Sequence, residues 1–367
     1  MNHLKQLDNQ ELLTDELDYE LPPDRIAQAP LHPRDHARML VAIDPAGDVA
    51  HMQVKDLPLL LGPGDLLVLN ETKVMPARLD LFKSTGGKVE VLLLEPLSSV
   101  LDESRIDIHE DKAAWLALIR PGRRIREGMT LYTSNQIPLV TVGSHYELQP
   151  GVRVVYLHDE QVVHQHGRIA LPPYIRSHDI DLDDYQTVYA RSSGSVAAPT
   201  AGLHLSKETL ERIVEAGAKV ATVDLKIGLD TFRPILTDRV DDHVIHSEVY
   251  KVDESTMEQC LNARRVVAVG TTVVRALESA AVSGVLEGRT SLFIKPGYQF
   301  QLVDLLLTNF HIPRSTLLAL VHAFVGPRWK ELYRLALQDG YRFLSFGDAM
   351  LIARSELPML NHSSFMC

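Results

Sequence analysis

Val266-Val-Ala-Val-Gly-Thr-Thr272 is the stretch on which the fold class turns. Its opening apolar run has no polar alternation, which fits a strand buried on both faces, and such strands belong to sheets covered by helices. Gly270 then breaks the strand, and Thr271 and Thr272 supply a hydroxyl-rich helix start suited to a ligand carboxylate or ribose. The three-glycine dinucleotide fingerprint and the Walker pattern are both absent, so nucleotide-phosphate binding is unsupported. Outward from this stretch, strands and helices alternate. A strand is expected over Ala218 to Ile227, a helix through Ser255 to Ala263, and another helix after Thr272. The mainly apolar run Leu302 to Leu307 precedes Thr308-Asn-Phe-His311, then Pro313 and a helix capped by Ser315. This is an α/β arrangement.

A different pattern occupies Ala77 to Leu157. Short alternating or apolar runs (Ala77 to Phe82, Lys88 to Leu94, Ala114 to Ile119, Met129 to Thr133, Ile137 to Val142, Val152 to Leu157) are separated by turn residues such as Gly86-Gly87 and Pro121-Gly122. They predict a small β-barrel or sandwich. A cleft between the two parts is the expected ligand site.

Val196-Ala-Ala-Pro-Thr-Ala-Gly-Leu-His204 is low in charge, lacks helical periodicity and ends on a titratable group. Ser206 is a good N-cap, and Leu210, Ile213 and Val214 lie at helical spacing before Gly217. The loop therefore reads as one that delivers a histidine to a helix N-terminus, where outward N–H groups attract anions. The competing reading is a tight connection built from Pro199, Gly202 and small residues. Asp348, in a Gly347-Asp turn, reads as a turn residue. His243 and His246, close to Glu248, have a spacing that can place two imidazoles on one helical face, yet no third ligand is evident, so no metal is expected.

With 367 residues, 45% hydrophobic and 23% charged, the chain is long enough for about two domains. Cys260 and Cys367 are its only cysteines, too few for a disulfide framework or a cysteine zinc site, which fits a reduced, cytoplasmic setting. The first twenty residues are acidic without an apolar core, and no uninterrupted apolar run reaches the roughly 18 residues a membrane span needs. The net charge of −11 argues against nucleic acid as a partner, but Arg120, Arg123, Arg124 and Arg126, and Arg264 with Arg265, form local clusters. Charge alone reads them more readily as solvated faces than as RNA contacts.

The motifs together resemble those of the S-adenosylmethionine:tRNA ribosyltransferase-isomerases of queuosine synthesis, in that family's order. The resemblance includes Leu17-Asp-Tyr-Glu-Leu-Pro-Pro23, Pro63-Gly-Asp-Leu-Leu-Val-Leu-Asn70 with Thr72-Lys73 and Pro76-Ala-Arg78, and Gly86-Gly-Lys-Val-Glu-Val91. It continues through Leu171-Pro-Pro-Tyr-Ile175, Tyr185-Gln-Thr-Val-Tyr-Ala190, the loop ending at His204, Asp242-His243, Val267 to Thr272, Pro296-Gly-Tyr298, Thr308 to His311 and Phe346 to Met350. The N-terminal segment also resembles part of the family's α/β domain. The resemblance thus implies a larger, discontinuous α/β domain (1–76 and 158–367) with an inserted β-barrel-like domain (77–157).

It further implies transfer and isomerisation of the ribosyl part of S-adenosylmethionine onto the aminomethyl group of a deazaguanine in the tRNA anticodon, giving epoxyqueuosine and releasing adenine and methionine. S-adenosylmethionine is then a co-substrate, tRNA the partner, no permanent cofactor is needed and a monomer is expected. Such chemistry needs a base near the carbon beside the sulfonium, a donor for departing adenine, a site for the methionine carboxylate and a deprotonated amine. His204 and His311 are the expected proton-transfer groups. Thr200, Gly202, Gly270, Thr271, Thr272 and Asn309 are expected to hold the co-substrate. Lys73 and Arg78 are expected on its carboxylate or an RNA phosphate, and Asp242, His246, Glu248 and Asp304 on hydroxyls or the attacking amine. Departures from the family pattern lie at Lys226, where histidine is usual, and Asp230, where glycine is usual; both are assigned catalytic candidacy. Leu205, Ser195 and Val273 replace phenylalanine, alanine and serine. These changes leave open a paralogue with another amine acceptor, or a non-catalytic tRNA-binding homologue.

Overall fold

The computed structural model describes residues 12–355 except 45–46, 101–112, 178–179, 229–230 and 232. Its main layer is a nine-stranded sheet. From one edge, the strands are Glu287–Thr290, Glu248–Val252, Lys219–Leu225, Asp65–Asn70, Arg265–Val269, Leu305–Asn309, Ala349–Ala353, Arg38–Ala42 and Ala50–Gln53. The four strands from Lys219–Leu225 to Leu305–Asn309 are mutually parallel. Arg265–Val269 is buried throughout, and the side-chain period of two explains why its apolar run is continuous. Val266 and Ala268 enter one core with Val273, Leu277, Leu318 and Trp329. Val267 and Val269 enter a second core on the opposite face with Leu205 and Ile213. Leu205 and Val273, two of the departures from the family pattern, are thus packing residues.

The helices form where their periodicity and caps place them. Lys207–Glu215 starts on Ser206, whose Oγ accepts from Thr209 N at 3.0 Å. Glu254–Asn262 precedes the central strand and Thr271–Ser283 follows it. Thr316–Val325 is capped by Ser315, whose Oγ accepts from Leu318 N at 3.2 Å. Among the described residues no helix is long and apolar enough to cross a membrane.

The second layer is a closed barrel. In spatial order its strands are Arg78–Phe82, Lys88–Pro96, Ala113–Arg120, Val152–Leu157, Pro138–His145 and Thr130–Tyr132, and pairing of Phe82 with Tyr132 closes the ring. Leu79, Leu81, Val89, Val91, Leu93, Ile119 and Val142 fill it. The short helix Glu160–His166 and the strand Gly167–Arg168 also pack here, on the barrel's first strand, so this body takes in residues past Leu157. The barrel is inserted between Thr72–Val74 and Ser192–Ser195, two strands that pair in parallel and form its neck on the α/β body.

Candidate active site at the strand ends

The four parallel strands end together, at Leu225, Asn70, Val269 and Asn309. In open α/β sheets this carboxyl edge is where ligands bind. Asn70, fully buried, ties the edge together. Its Nδ2 donates to Leu225 O (3.0 Å) and Thr272 Oγ1 (3.3 Å), while its Oδ1 accepts from Thr72 N (3.2 Å) and Leu225 N (3.1 Å). Gly270 makes the turn from strand to helix with φ of 94°, a left-handed conformation that favours glycine. The helix that follows has no side-chain cap, and its first residues line a pocket with Thr200, Thr308, Asn309 and His311. That pocket therefore faces the positive end of a helix dipole.

Two imidazoles stand near this pocket in different positions. His311 lines it directly, and His311 Nε2 lies 3.0 Å from Thr308 Oγ1. Its backbone is held on both sides: Tyr333 Oη accepts from His311 N (2.9 Å), and Tyr19 Oη donates to His311 O (2.5 Å). Burial pushes its pKa down to about 3, so the ring is neutral at physiological pH. His204 sits behind the pocket wall and lines a neighbouring recess with Arg34 and Arg342. It meets the strand-end pocket through Asn309. The Asn309 amide donates to Leu344 O (3.2 Å), which can only accept, and to His204 Nε2 (3.0 Å). Thr200 Oγ1 donates to Asn309 Oδ1 (3.0 Å). This pattern makes Nε2 of His204 an acceptor and puts its proton on Nδ1. Burial lowers its pKa to about 4, with Arg342 and Arg34 reinforcing the shift against the opposing field of Asp348.

The other expected site residues separate by location. Gly202 belongs to the short helical turn Thr200–His204, where it packs against Tyr189 and Thr187 and does not line the pocket. The anion-attracting start of helix Lys207–Glu215 is already occupied, because Asp35 Oδ2 accepts from Ser206 Oγ (2.6 Å) and Thr209 Oγ1 (2.9 Å). Lys226, His246 and Glu248 line an adjoining cleft between sheet and barrel, together with Glu95 and Gln149. Lys226 Nζ donates to Ser192 O (3.0 Å) and Ser192 Oγ (2.7 Å) and forms an ion pair with Asp224 (2.8 Å), so the ammonium is held by the protein's own groups. Asp230, the other departure assigned catalytic candidacy, lies outside the described residues. Ser195, where alanine is usual, has a structural use: its Oγ donates to Ala197 O (2.7 Å) and accepts from Ile227 N (3.0 Å).

Several expectations are corrected by position. Asp304 lies at the opposite, amino-terminal end of its strand, where it accepts from Val266 N (2.9 Å) and pairs with Arg354 (2.9 Å), so it anchors the sheet and cannot meet the pocket. Asp242 is on the surface beside Arg239 (3.9 Å). Lys73, exposed in the neck, and Arg78, on the barrel facing Glu90 (3.6 Å), lie outside the strand-end pocket, which leaves the RNA-phosphate alternative for them. His243 and His246 follow the turn Val240–Asp242 in non-helical backbone, so no helical face joins them. Among the described residues no cluster of three or more histidine, cysteine, aspartate or glutamate side chains could hold a metal ion. Asp348 is 2% exposed and locks its turn by accepting from Arg38 N (3.1 Å) and Arg342 N (2.8 Å).

Arg275 and the two tyrosines that hold the His311 backbone are not among the residues expected at the site. Arg275, one helical turn after Thr271, is buried and paired with Glu248. Glu248 Oε1 in turn accepts from Gly228 N (3.3 Å) and Thr231 Oγ1 (3.1 Å), so this pair holds Gly228, which lines the cleft, and Thr231, which lines the pocket. Glu248 therefore acts on the protein's own backbone. Tyr19 was legible as part of a motif, but its contact with His311 spans most of the chain and carries no local signal.

Comparison with known proteins identifies the family. Residues 14–352 match the family model described as queuosine biosynthesis protein. Curated relatives called S-adenosylmethionine:tRNA ribosyltransferase-isomerase include one from Rubrobacter xylanophilus, 49% identical over 92% of this chain and 97% of its own. Another, from Thermus thermophilus, is 48% identical over 91% and 98%. The crystal structure of S-adenosylmethionine tRNA ribosyltransferase from Thermotoga maritima superposes with a TM-score of 0.51 and 34% identity, covering 92% of this chain and 99% of that one. Sequence along nearly the whole length and the shared fold lead to one assignment: the chain belongs to the S-adenosylmethionine:tRNA ribosyltransferase-isomerase family.

Proposed function

We propose that this protein transfers and isomerises the ribosyl moiety of S-adenosylmethionine onto 7-aminomethyl-7-deazaguanine in a tRNA anticodon, giving epoxyqueuosine, adenine and methionine. One observation carries the reading. In a chain 49% identical to a family member over 92% of its length, His311, Asn309, Thr200, Thr271 and Thr272 converge on a single pocket at the carboxyl edge of the parallel strands.

The division of labour follows from the geometry. The uncapped start of helix Thr271–Ser283 suits the methionine carboxylate or a ribose hydroxyl. His311, neutral and in the pocket, is the proton acceptor for the acidified carbon beside the sulfonium, or the group through which adenine receives its proton. His204 is a positioning residue: by accepting from Asn309 it fixes an amide that faces the co-substrate. Lys226 keeps the cleft mouth charged and ordered through Asp224 and Ser192, and is not the base. The cleft between sheet and barrel receives the acceptor base. No metal and no resident cofactor enter this scheme.

The test is a mass-spectrometric assay of purified protein with S-adenosylmethionine and tRNA carrying the aminomethyl-deazaguanine, following adenine, methionine and the modified nucleoside together. Equal amounts of adenine and epoxyqueuosine support the reading. Adenine release to a different amine would identify a paralogue with another acceptor, and tRNA binding without adenine release would identify a non-catalytic homologue.

A further inference from the structure

One end of the barrel concentrates positive charge in a chain whose net charge is −11. The hairpin tip between Phe82 and Lys88 and the connection from Arg120 to Thr130 meet there, with Lys83 Nζ donating to Arg124 O at 3.3 Å. Lys88, Arg120, Arg123, Arg124 and Arg126 are all exposed on this rim; Glu127 is an exposed acid among them, and Asp80, paired with Arg168, and Glu90, opposite Arg120, lie at its edge.

The rim shares a face with the cleft. Along strand Lys88–Pro96, Val89, Val91 and Leu93 point into the barrel core. Period-two alternation therefore puts Lys88 and Glu90 on the outside; Leu92 is buried with the barrel core, and beyond it Leu94 and Glu95, past an irregularity in the strand pairing, line the cleft. The neighbouring strand repeats this, since Arg120 pairs with Glu90 and Leu118 with Leu92. From Lys88 to Leu94 the strand advances on the order of 20 Å. A free nucleoside in the cleft cannot touch the rim across that distance, whereas a polynucleotide with a base in the cleft is long enough to reach it.

We infer that the barrel rim formed by Lys88, Arg120, Arg123 and Arg126 is a docking surface for the phosphate backbone of the tRNA whose base enters the cleft. The inference rests on the ribosyl-transfer reading and adds to it the surface that selects a polynucleotide over a free base. Each cation neutralising a phosphate releases condensed counterions, so its removal shows as a reduced dependence of affinity on salt.

The experiment measures tRNA affinity from low to moderate salt for the wild type, for Lys88→Gln/Arg123→Gln/Arg126→Gln, and for a control, Lys207→Gln/Lys219→Gln, altering exposed cations of the α/β body. The rim variant is expected to lose about two units or more of the salt slope, at roughly 0.7–0.9 per contact, and to bind tRNA about tenfold or more weakly at 0.1 M salt. Its KM for S-adenosylmethionine and its kcat at saturating tRNA should match the wild type. Unchanged slope and affinity, or an equal loss in the control, would overturn the inference while leaving ribosyl transfer intact. A wild type that neither binds nor modifies tRNA would instead overturn the functional reading on which it rests.

Discussion

Gly202→Ala is the substitution whose consequence the structure specifies most closely. A Cβ at this position would lie 1.9 Å from Tyr189 Oη, and 3.1 Å from Tyr189 Cζ and Thr187 Cγ2. Tyr189 is enclosed, and its hydroxyl makes no hydrogen bond within the protein, so either the ring or the turn Thr200–His204 must shift. Overpacking of this kind costs about 1–3 kcal/mol, against a gain of up to about 1 kcal/mol from the reduced freedom of the unfolded chain. Tyr189→Phe alone removes an unpartnered oxygen and should be nearly neutral. In Gly202→Ala/Tyr189→Phe the nearest atom becomes a ring carbon at 3.1 Å, so most of the penalty should vanish. The expected coupling is about 1–3 kcal/mol, read from urea midpoints at constant m. Because Thr200 in the same turn holds Asn309, the single Gly202→Ala variant should also lose activity at urea concentrations where it is still folded. A Gly202→Ala protein as stable as wild type, or a penalty that persists beside Tyr189→Phe, would refute this account of the turn.

Other consequences follow from the same geometry. His311→Gln should reduce kcat by about 10²-fold or more with the KM for S-adenosylmethionine within a few-fold of wild type, whereas His204→Gln should cost less; equal losses in steady-state assays would remove the distinction between acceptor and positioning residue. His204 and His311 titrate near 6.5 when unfolded but only at about 4 and about 3 when folded, so the unfolded state binds more protons as pH falls below 6.5. Stability should therefore decline through that window by up to about 1.4 kcal/mol per pH unit per histidine, and denaturation of the double glutamine variant should show a flatter profile. Glu248→Gln leaves the buried Arg275 guanidinium without its counter-ion and should destabilise by about 3–5 kcal/mol; a shift under 1 kcal/mol in chemical denaturation would mean the pair is solvated. Lys226→His, which restores the family's usual residue, should keep activity within a few-fold, because this side chain lies in the cleft wall outside the strand-end pocket.

The fold was legible where burial and periodicity act locally. The barrel strands and the helices flanking Arg265–Val269 fall close to the boundaries that alternation and capping predict, because each is set by neighbouring residues. The part of the barrel beyond Leu157 was not legible, since only tertiary packing of Val163 places that short helix there. In the site, the convergence of Thr271, Thr272, Asn309 and His311 follows from strand ends that any parallel α/β sheet brings together. Asp304 was misplaced for a related reason. It adjoins the same strand as Asn309, but at the far end, and a motif read as a string of letters does not say which end faces the ligand.

Two helix starts show why a favourable local sequence does not by itself make a site. Ser206 opens Lys207–Glu215 with a good cap, and the resulting positive end is filled by the protein's own Asp35, which is 8% exposed. Gly270 opens Thr271–Ser283 with no side-chain cap, at the edge where four parallel strands end. The first start has its negative charge built in and stabilises the fold; the second presents its dipole to a pocket with His311 and Asn309. The loop ending at His204 joins them, since Thr200 supports Asn309 at one end of its turn while Ser206 begins the self-satisfied helix just beyond the other. Its unusual sequence is therefore explained without putting His204 in contact with the co-substrate. The loop braces the residue that does face the pocket, and small side chains are required where it passes beneath Tyr189.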